Sequence, residues 1–211
     1  MPQEPDYFDT IPPLDDVWRF GELAAGPWAN GAGVTRVVSS SPVDGGQVDF
    51  DWRISIADVT SASEFSFFPG VDRLLVLIDG AGLDLIIDGE PHHCEPFCPV
   101  TFAGESLTSC LTPSGATRDL NIMVRRGRYR ATVVMHSDIA EVQFKPGENE
   151  VLFLAILEGN WHTKGAHKVA LGLYDCARIR KKLTLNGHGR IAQIGLHLAD
   201  SIDSKGISVD I

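Results

Sequence analysis

Residues 50–73, FDWRISIADVTSASEFSFFPGVDR, decide the fold that the sequence predicts. The first half alternates apolar and polar residues, and the second half ends in a Pro-Gly turn at residues 69–70. Because successive side chains of a strand point to opposite faces, the first half has two faces. One carries Phe50, Trp52, Ile54 and Ile56; the other carries Asp51, Arg53, Ser55 and Ala57. The pattern predicts a strand with an apolar core face, and with Arg53 directed into a barrel interior or towards solvent.

Short strand patterns continue on both sides of this stretch. The chain of 211 residues contains 21 Gly and 12 Pro, and turn signals separate the strands along its whole length. In the second half we predict turns at Pro146-Gly147, Gly159-Asn160 and Asn186-Gly187. No helical periodicity of useful length occurs before residue 126. The sequence therefore predicts an all-β chain built as a sandwich, jelly roll or barrel.

A weak internal repeat indicates two similar halves. Residues 76–80, VLIDG, resemble residues 155–159, AILEG, and each half spans on the order of 100 residues. We therefore expect two packed barrels, residues 17–126 and residues 127–200, with strands exchanged between the halves. Residues 1–16 and 201–211 are expected to be flexible termini.

Charge and cysteine usage limit the partners. The formal net charge of −10 repels nucleic-acid phosphates and anionic lipid surfaces, so we expect no nucleic-acid and no membrane partner. The acidic, Pro-rich start lacks the basic and apolar segments of a secretory signal, and no apolar run is long enough to span a membrane. The sequence therefore predicts a cytoplasmic protein. Its four cysteines, Cys94, Cys98, Cys110 and Cys176, are expected to be reduced thiols.

Catalytic and metal signatures are weak. His92 and His93 are adjacent, so on a strand they face opposite sides and cannot both bind one ion. His92 and Cys94 share a face and remain the alternative metal pair, but the spacing of four ligands is missing. No serine occupies a Gly-x-Ser-x-Gly elbow. We therefore predict no cofactor, no metal and no assigned catalytic residue.

A polar row follows residues 118–126, RDLNIMVRR. Strand alternation places Asp119, Asn121 and Arg125 on one face. Together with Arg53, Arg73 and Asn30, this row could line a pocket for a small anion, bound by guanidinium and amide groups. The alternative is that these groups only satisfy one another inside a barrel, as buried polar groups must.

Five segments together resemble the HutD/Ves family. They are residues 28–36 (WANGAGVTR), 50–59 (FDWRISIADV), 65–73 (FSFFPGVDR), 102–105 (FAGE) and 119–126 (DLNIMVRR). The resemblance extends over about residues 17–139 in order. Family members commonly carry Lys, Gly and Glu where this chain has Ala29, Ala32 and Val37. Two charges are thereby absent near the expected pocket.

The resemblance implies a bacterial cytoplasmic bicupin of the RmlC-like cupin superfamily, two jelly-roll-like β-barrels in one chain. It implies a regulatory or ligand-sensing role linked to histidine utilisation, with a small acid such as N-formylglutamate as ligand and no established enzyme activity. The ligand-binding residues that we predict on this basis are Trp28, Asn30, Thr35, Arg53, Asp58, Arg73, Asp119, Asn121 and Arg125.

The leading hypothesis is therefore a non-enzymatic protein that binds a small anionic metabolite. One alternative is a cupin-type enzyme, either a metal-dependent oxygenase or isomerase using His92 and Cys94, or a metal-free enzyme using Asp119 as base. A second alternative is a protein-interaction module with a large exposed apolar patch. Self-association through an edge strand or an apolar face would give a homodimer.

Overall fold

The computed structural model describes residues 14–43, 49–111, 113, 115–165, 168–199 and 206–210. Within these ranges the regular structure is β-strand, apart from a 3-10 turn at Phe20–Glu22. None of the helical structure described there is long and apolar enough to cross a membrane. The strands are β1 Leu14–Trp18, β2 Gly26–Pro27, β3 Gly33–Ser41, β4 Trp52–Val59, β5 Ser63–Glu64, β6 Val71–Asp79, β7 Leu83–Ile87, β8 Glu90–Cys94, β9 Pro99–Ala103, β10 Thr108–Cys110, β11 Thr117–Arg125, β12 Tyr129–His136, β13 Glu141–Phe144, β14 Glu150–Thr163, β15 Ala170–Leu171, β16 Cys176–Ile179, β17 Leu183–Leu198 and β18 Ile207–Asp210.

The chain divides into two units that are discontinuous in sequence. One contains residues 22–132 and 197–209, and we call it the cavity unit. The other contains residues 1–21, 133–196 and 210–211. The division falls within β12 and β17, whereas the sequence predicts a single boundary between residues 126 and 127. That boundary stays a prediction.

The cavity unit is a β-sandwich. Its larger sheet has the order β2-β3-β4-β11-β6-β9, and its smaller sheet has the order β5-β10-β7-β8. Val59 and Leu77 of the larger sheet pack with Leu83, Leu85 and Cys94 of the smaller sheet in one apolar cluster. A fully buried leucine side chain contributes about 2–3 kcal/mol, so this cluster holds the two sheets together.

The other unit has its own core. The strands that supply it have the order β1-β16-β14-β17-β12; in addition, β13 pairs with β17 and β15 with β14. Alternate residues of β14, including Leu152, Leu154 and Ile156, pack around the fully buried Trp161. Residues 152–157 are all buried, so both faces of this part of β14 are covered.

Two predicted turns are wrong. β14 continues through Gly159-Asn160, and β17 continues through Asn186-Gly187. A Cβ atom on Gly159 would collide with the carbonyl oxygen of His188, and one on Gly187 would collide with that of Asn160. These glycines therefore permit close approach of two backbones, a second role of strand glycines that a turn signal conceals. The turn predicted at Pro146-Gly147 occurs slightly later, at residues 147–150 between β13 and β14, where the Glu150 backbone donates to the Gly147 carbonyl.

The all-β prediction is confirmed, whereas the two closed barrels remain a prediction. None of the three sheet orders closes on itself over the described strands. The expected flexible end is wrong for residues 207–210, which form β18 and pair with β12. The remainder of the predicted flexible termini lies outside the described residues, except for the start of β1 at Leu14.

Candidate functional site

A cavity of about 560 Å³ opens on the inner face of the larger sheet in the cavity unit. Its floor comes from β3, β4, β6 and β11, and its walls come from residues 26–30 and 64–68. Seven of the nine predicted ligand-binding residues line it. These are Trp28, Asn30, Thr35, Arg53, Arg73, Asp119 and Asn121.

Strand register explains why these side chains meet. Met123 on β11 pairs with Arg53 on β4 and with Arg73 on β6, so the three form one row across the sheet. Asn121 lies two residues earlier on the same strand and pairs with Ser55 and Leu75. Because directly paired residues share a face, the floor of the cavity carries two guanidinium groups and an amide.

Arg73 is the most enclosed cation of the cavity. It is only 5% exposed, and its Nη2 and Nη1 atoms donate to Asn121 Oδ1 and the Ser66 carbonyl, both at 3.3 Å. Its guanidinium lies 4.9 Å from the ring centre of Phe102 and 5.1 Å from that of Phe65. Burial is the main cause that lowers the pKa of Arg73 to about 10, so the group stays charged at neutral pH.

The hydrogen-bonding capacity of Arg73 is not fully used. Among the described residues, its buried Nε has no acceptor and its guanidinium has no ion-pair partner. Burial of a charge without an opposite charge is costly. The alternative that the polar row only satisfies itself does not account for this atom.

Arg53 stands on the other side of Met123. Its Nη2 lies 3.4 Å from Met123 Sδ, and its guanidinium is 4.9 Å from the ring centre of Phe50 and 5.3 Å from that of Phe68. Burial lowers the pKa of Arg53. The guanidinium groups of both arginines thus lie against phenylalanine rings, and cation–π contacts partly replace their hydration.

Asp119 supplies the acidic group of the floor. It is 1% exposed and accepts a hydrogen bond from the side-chain amide of Asn121. Burial raises the pKa of Asp119 to about 7, and the positive charge of Arg73 opposes this shift, as does the Asn121 hydrogen bond. A carboxyl group that changes protonation near neutral pH is therefore placed against the cavity.

Side-chain hydrogen bonds to neighbouring segments hold the wall formed by residues 26–30 in place. Trp28 Nε1 donates to Thr35 Oγ1 at 2.8 Å, which fixes the indole against β3. Asn30 Nδ2 donates to Ser63 Oγ at 2.8 Å, and its Oδ1 accepts from the backbone of Ala32 at 3.0 Å. Gly31 has a φ of 70°, which the turn requires and glycine permits. Asn30 therefore fixes the wall as well as lining it.

Two predicted site residues lie elsewhere. Asp58 is not among the lining residues; it accepts from Arg36 and Arg118, each at 2.6 Å. Strand alternation places it on the opposite face from Arg53, Ser55 and Ala57. Arg125 follows Met123 by two positions, but its Nε donates to the Phe50 carbonyl at 3.0 Å and it does not line the cavity.

The alternative metal pair gains no support. His92 is exposed, whereas Cys94 is fully buried in the apolar cluster between the sheets. Burial raises the pKa of Cys94 to about 11, which disfavours the thiolate that binds metal. In the described ranges no three His, Cys, Asp or Glu side chains are grouped to hold an ion. His93 instead contacts Asp84 at 2.5 Å.

The sequence prediction missed several lining residues, which are mostly apolar. Phe65, Phe68 and Met123 line the cavity, as does Glu64. Met123 could have been found, since alternation puts it on the face of Asn121. Phe65 and Phe68 lie in the family segment at residues 65–73. No periodic pattern in that segment distinguishes aromatic residues that line the cavity from aromatic residues of the core. Ala29 and Val37, the positions where two family charges are absent, also line the cavity.

Comparisons with known proteins agree on one family. The HutD family model matches residues 21–193. An uncharacterized 21.2 kDa protein of the hutC 3′ region of Pseudomonas putida is 34% identical over 177 residues, which cover 81% of this chain and 90% of that protein. Protein Ves of Cronobacter sakazakii is 38% identical over 64% of this chain and 71% of its own.

A solved structure gives the same relationship. HutD from Pseudomonas fluorescens SBW25 superposes with a TM-score of 0.74 at 29% identity, covering 87% of this chain and 98% of its own. The two chains therefore share their fold over most of their length.

Proposed function

The chain belongs to the HutD family, and from this premise we propose that it is a non-enzymatic binding protein for a small carboxylate. The relative from Pseudomonas putida is named for the hutC 3′ region. We extend that link to this chain as a role in histidine or amino-acid utilisation or its regulation. The proposal includes the cytoplasmic location and the bicupin arrangement that the family resemblance implies.

The observation that carries the proposal is the state of Arg73. A buried guanidinium faces a cavity, has an Nε without an acceptor, and forms no ion pair within the described chain. A ligand carboxylate would supply both the missing acceptor and the missing negative charge. Arginine suits this role because its planar fork matches a carboxylate and gives two parallel hydrogen bonds.

The remaining lining groups define the ligand class. Asn121 presents an amide beside Arg73, and Arg53 adds a second positive group across Met123. Phe65 and Phe68 provide apolar walls for the body of the ligand. This combination favours a compact mono- or dicarboxylate with a short carbon skeleton, for which N-formylglutamate is the natural first probe.

The test is a thermal-shift screen followed by calorimetry. N-formylglutamate, glutamate, urocanate and common dicarboxylates are added to the purified chain, and any hit is titrated against variants. A ligand at 100 times its Kd stabilises the fold by about 2.7 kcal/mol. For a chain of this size the melting temperature then rises by about 5–10 °C.

Four variants locate the site. Arg73→Gln and Arg53→Gln should each weaken binding by at least tenfold, the loss expected when a charged hydrogen bond is removed. Arg128→Gln is the matched control, because this arginine is exposed and pairs with Asp51. Arg125→Ala should also retain binding, since Arg125 does not line the cavity. If no anion shifts the melt, or if Arg73→Gln binds as well as the parent, the proposal is wrong.

A second candidate function rests on Asp119. A carboxyl group with a pKa of about 7 is suited to abstract and return a proton at neutral pH. The cavity could then catalyse proton exchange next to a ligand carboxylate. Incubation of a bound acid in deuterated water distinguishes the two: the binding function predicts no label in its C–H positions, whereas catalysis predicts label that Asp119→Asn abolishes.

A further inference from the structure

We propose that Asp119 binds the ligand as a neutral carboxylic acid, so that one anionic carboxylate enters the cavity together with one proton. This inference rests on the carboxylate-binding function proposed above and specifies how that site responds to pH. It assigns Asp119 the role of a hydrogen-bond donor to the ligand.

The geometry separates Asp119 from its neighbouring cation. Arg73 donates to Asn121 Oδ1 at 3.3 Å, and Asn121 in turn donates from Nδ2 to Asp119. The amide therefore stands between the guanidinium and the carboxyl group. Asp119 takes part in no ion pair formed by the described residues, although it is 1% exposed. Its direct strand neighbours, Ala57 and Leu77, are apolar.

Other titratable groups lie near Asp119, but among the described residues none of them forms an ion pair with it. Cys94 and Cys110 stay neutral because burial raises the pKa of both thiols, and the charge of Asp119 raises them further. Asp58 adds a negative charge from β4. The groups that interact electrostatically with Asp119 are Arg73 of β6, Asp58 of β4, Cys94 of β8 and Cys110 of β10. Arg53 of β4 and Glu64 of β5 line the same cavity.

Charge balance decides the protonation state of the complex. An ionised Asp119 already offsets the charge of Arg73, and it repels a second carboxylate that enters the same enclosed space. A neutral Asp119 leaves the whole charge of Arg73 for the ligand and offers an O–H that the ligand can accept. Binding of an anion therefore favours the protonated form, and anion binding above neutral pH takes up a proton.

The expected pH dependence follows from linkage. If only the protonated form binds, the apparent Kd increases by the reciprocal of the protonated fraction. With a pKa of about 7 for Asp119, the Kd is nearly constant below neutrality and rises tenfold per unit above it. Between about pH 6 and about pH 8.5 the affinity of the parent chain should fall about 30-fold.

The experiment uses N-formylglutamate, with sodium formate as a second probe, because the carboxylates of both stay ionised over this range. Calorimetric titrations are run in two buffers of different ionisation enthalpy at each pH, MES and Bis-Tris near pH 6 and Tricine and Tris near pH 8.5. The slope of the binding enthalpy against the ionisation enthalpy of the buffer gives the number of protons taken up per ligand. We expect about one proton at about pH 8.5 and nearly none at about pH 6.

Two variants assign the proton. Asp119→Asn keeps a neutral side chain of the same shape, so it should abolish both the proton uptake and the fall in affinity with pH. Glu64→Gln removes the other carboxyl group that lines the cavity and should leave both effects intact. If Asp119→Asn does not fold, the proton count of the parent chain still decides whether a proton accompanies the anion.

The outcomes separate this inference from the proposed function. If N-formylglutamate or formate binds with no proton uptake and a constant Kd, the inference is overturned and the carboxylate-binding function stands. If Glu64→Gln abolishes the uptake, the assignment to Asp119 is overturned. If neither probe binds at any pH, both the inference and the carboxylate site fall together.

Discussion

Arg118 Nε lies 2.6 Å from Asp58 Oδ1, on the face of β4 that does not line the cavity. The other oxygen of the same carboxylate accepts from Arg36 Nη1 at 2.6 Å. Since Arg36, Asp58 and Arg118 lie on β3, β4 and β11, one carboxylate links three neighbouring strands of the larger sheet. Asp58 therefore supports the floor of the site from behind.

Asp58→Asn should reduce the free energy of unfolding by about 2 kcal/mol at neutral pH, since it removes charged hydrogen bonds. Burial alone would raise the pKa of Asp58, but the hydrogen bonds and charges of Arg118 and Arg36 outweigh it and lower the pKa below 3.8. The stabilisation is thus present above about pH 4 and is lost as the pH falls through the folded pKa. Urea unfolding at several pH values measures this, and an equal loss at low pH would contradict it.

Trp52→Ala should cost about 3–5 kcal/mol, the range for removing a large buried aromatic side chain. Trp52 is 6% exposed and belongs to the apolar face of β4 that the sequence predicts. Phe67→Ala is the matched control, because Phe67 is 59% exposed. Denaturant unfolding should show a large loss for the first variant and a change within about 0.5 kcal/mol for the second.

Gly33→Ala should destabilise the chain by about 1–3 kcal/mol, because the added methyl group has no space. It would collide with the Asp58 carbonyl and lie 3.1 Å from the Trp28 ring. We expect weaker carboxylate binding as well, since Trp28 lines the cavity. Gly21→Ala, where no atom lies within 4 Å of the new Cβ, should change neither property. Similar melting temperatures for the two variants would contradict the packing argument.

Without ligand, the stability of the parent chain relative to Asp119→Asn should fall as the pH rises from about 4 to about 7. The pKa of Asp119 is 3.8 when exposed and about 7 when folded, so the folded chain holds its proton longer than the unfolded chain. Stability is lost over the interval in which only the unfolded state ionises. The accumulated difference is on the order of a few kcal/mol, at 1.36 kcal/mol per unit. Urea unfolding of the two proteins at several pH values measures this. A difference in free energy of unfolding that does not change with pH would contradict the pKa shift.

Self-association is predicted to produce a homodimer. β8 stands at the end of the order β5-β10-β7-β8, and its residues from Glu90 to His93 are exposed. A strand at the end of a sheet can pair with a second copy. Light scattering should give twice the mass of the chain, and the mass of a monomer at high micromolar concentration would contradict the prediction.

Strand existence could be predicted well from alternation and turn residues. The alternating stretch at residues 50–57 corresponds to β4, which begins and ends two residues later, and the polar row at residues 118–126 corresponds to β11. β14 and β17 could not be delimited, because Gly159 and Gly187 carry the same local signal in a turn as at a close backbone approach. β16 and β18 were missed because both are short, and their pairing partners are distant in sequence.

The candidate site could be predicted from the sequence where its residues follow the alternation of side chains along a strand. Arg53, Asn121 and Asp119 fall on the cavity face that alternation predicts. Asp58 entered the predicted set through the family motif, and alternation alone would have assigned it to the other face. The absence of a partner at Arg73 Nε depends on the fold of residues 64–68 around it, which no local pattern contains.

The hydrogen bond from Trp28 to Thr35 has a spectroscopic consequence. The chain contains 4 tryptophans, and Trp28 is the one that lines the cavity, while Trp52 and Trp161 are buried elsewhere. Because Thr35 holds the indole at 2.8 Å, the ring keeps its position at the cavity wall. Its emission depends on the polarity and charge next to it, so we expect an anion bound in the cavity to alter the fluorescence of Trp28. Under the proposed function, the site would contain an intrinsic fluorophore that reports its occupancy.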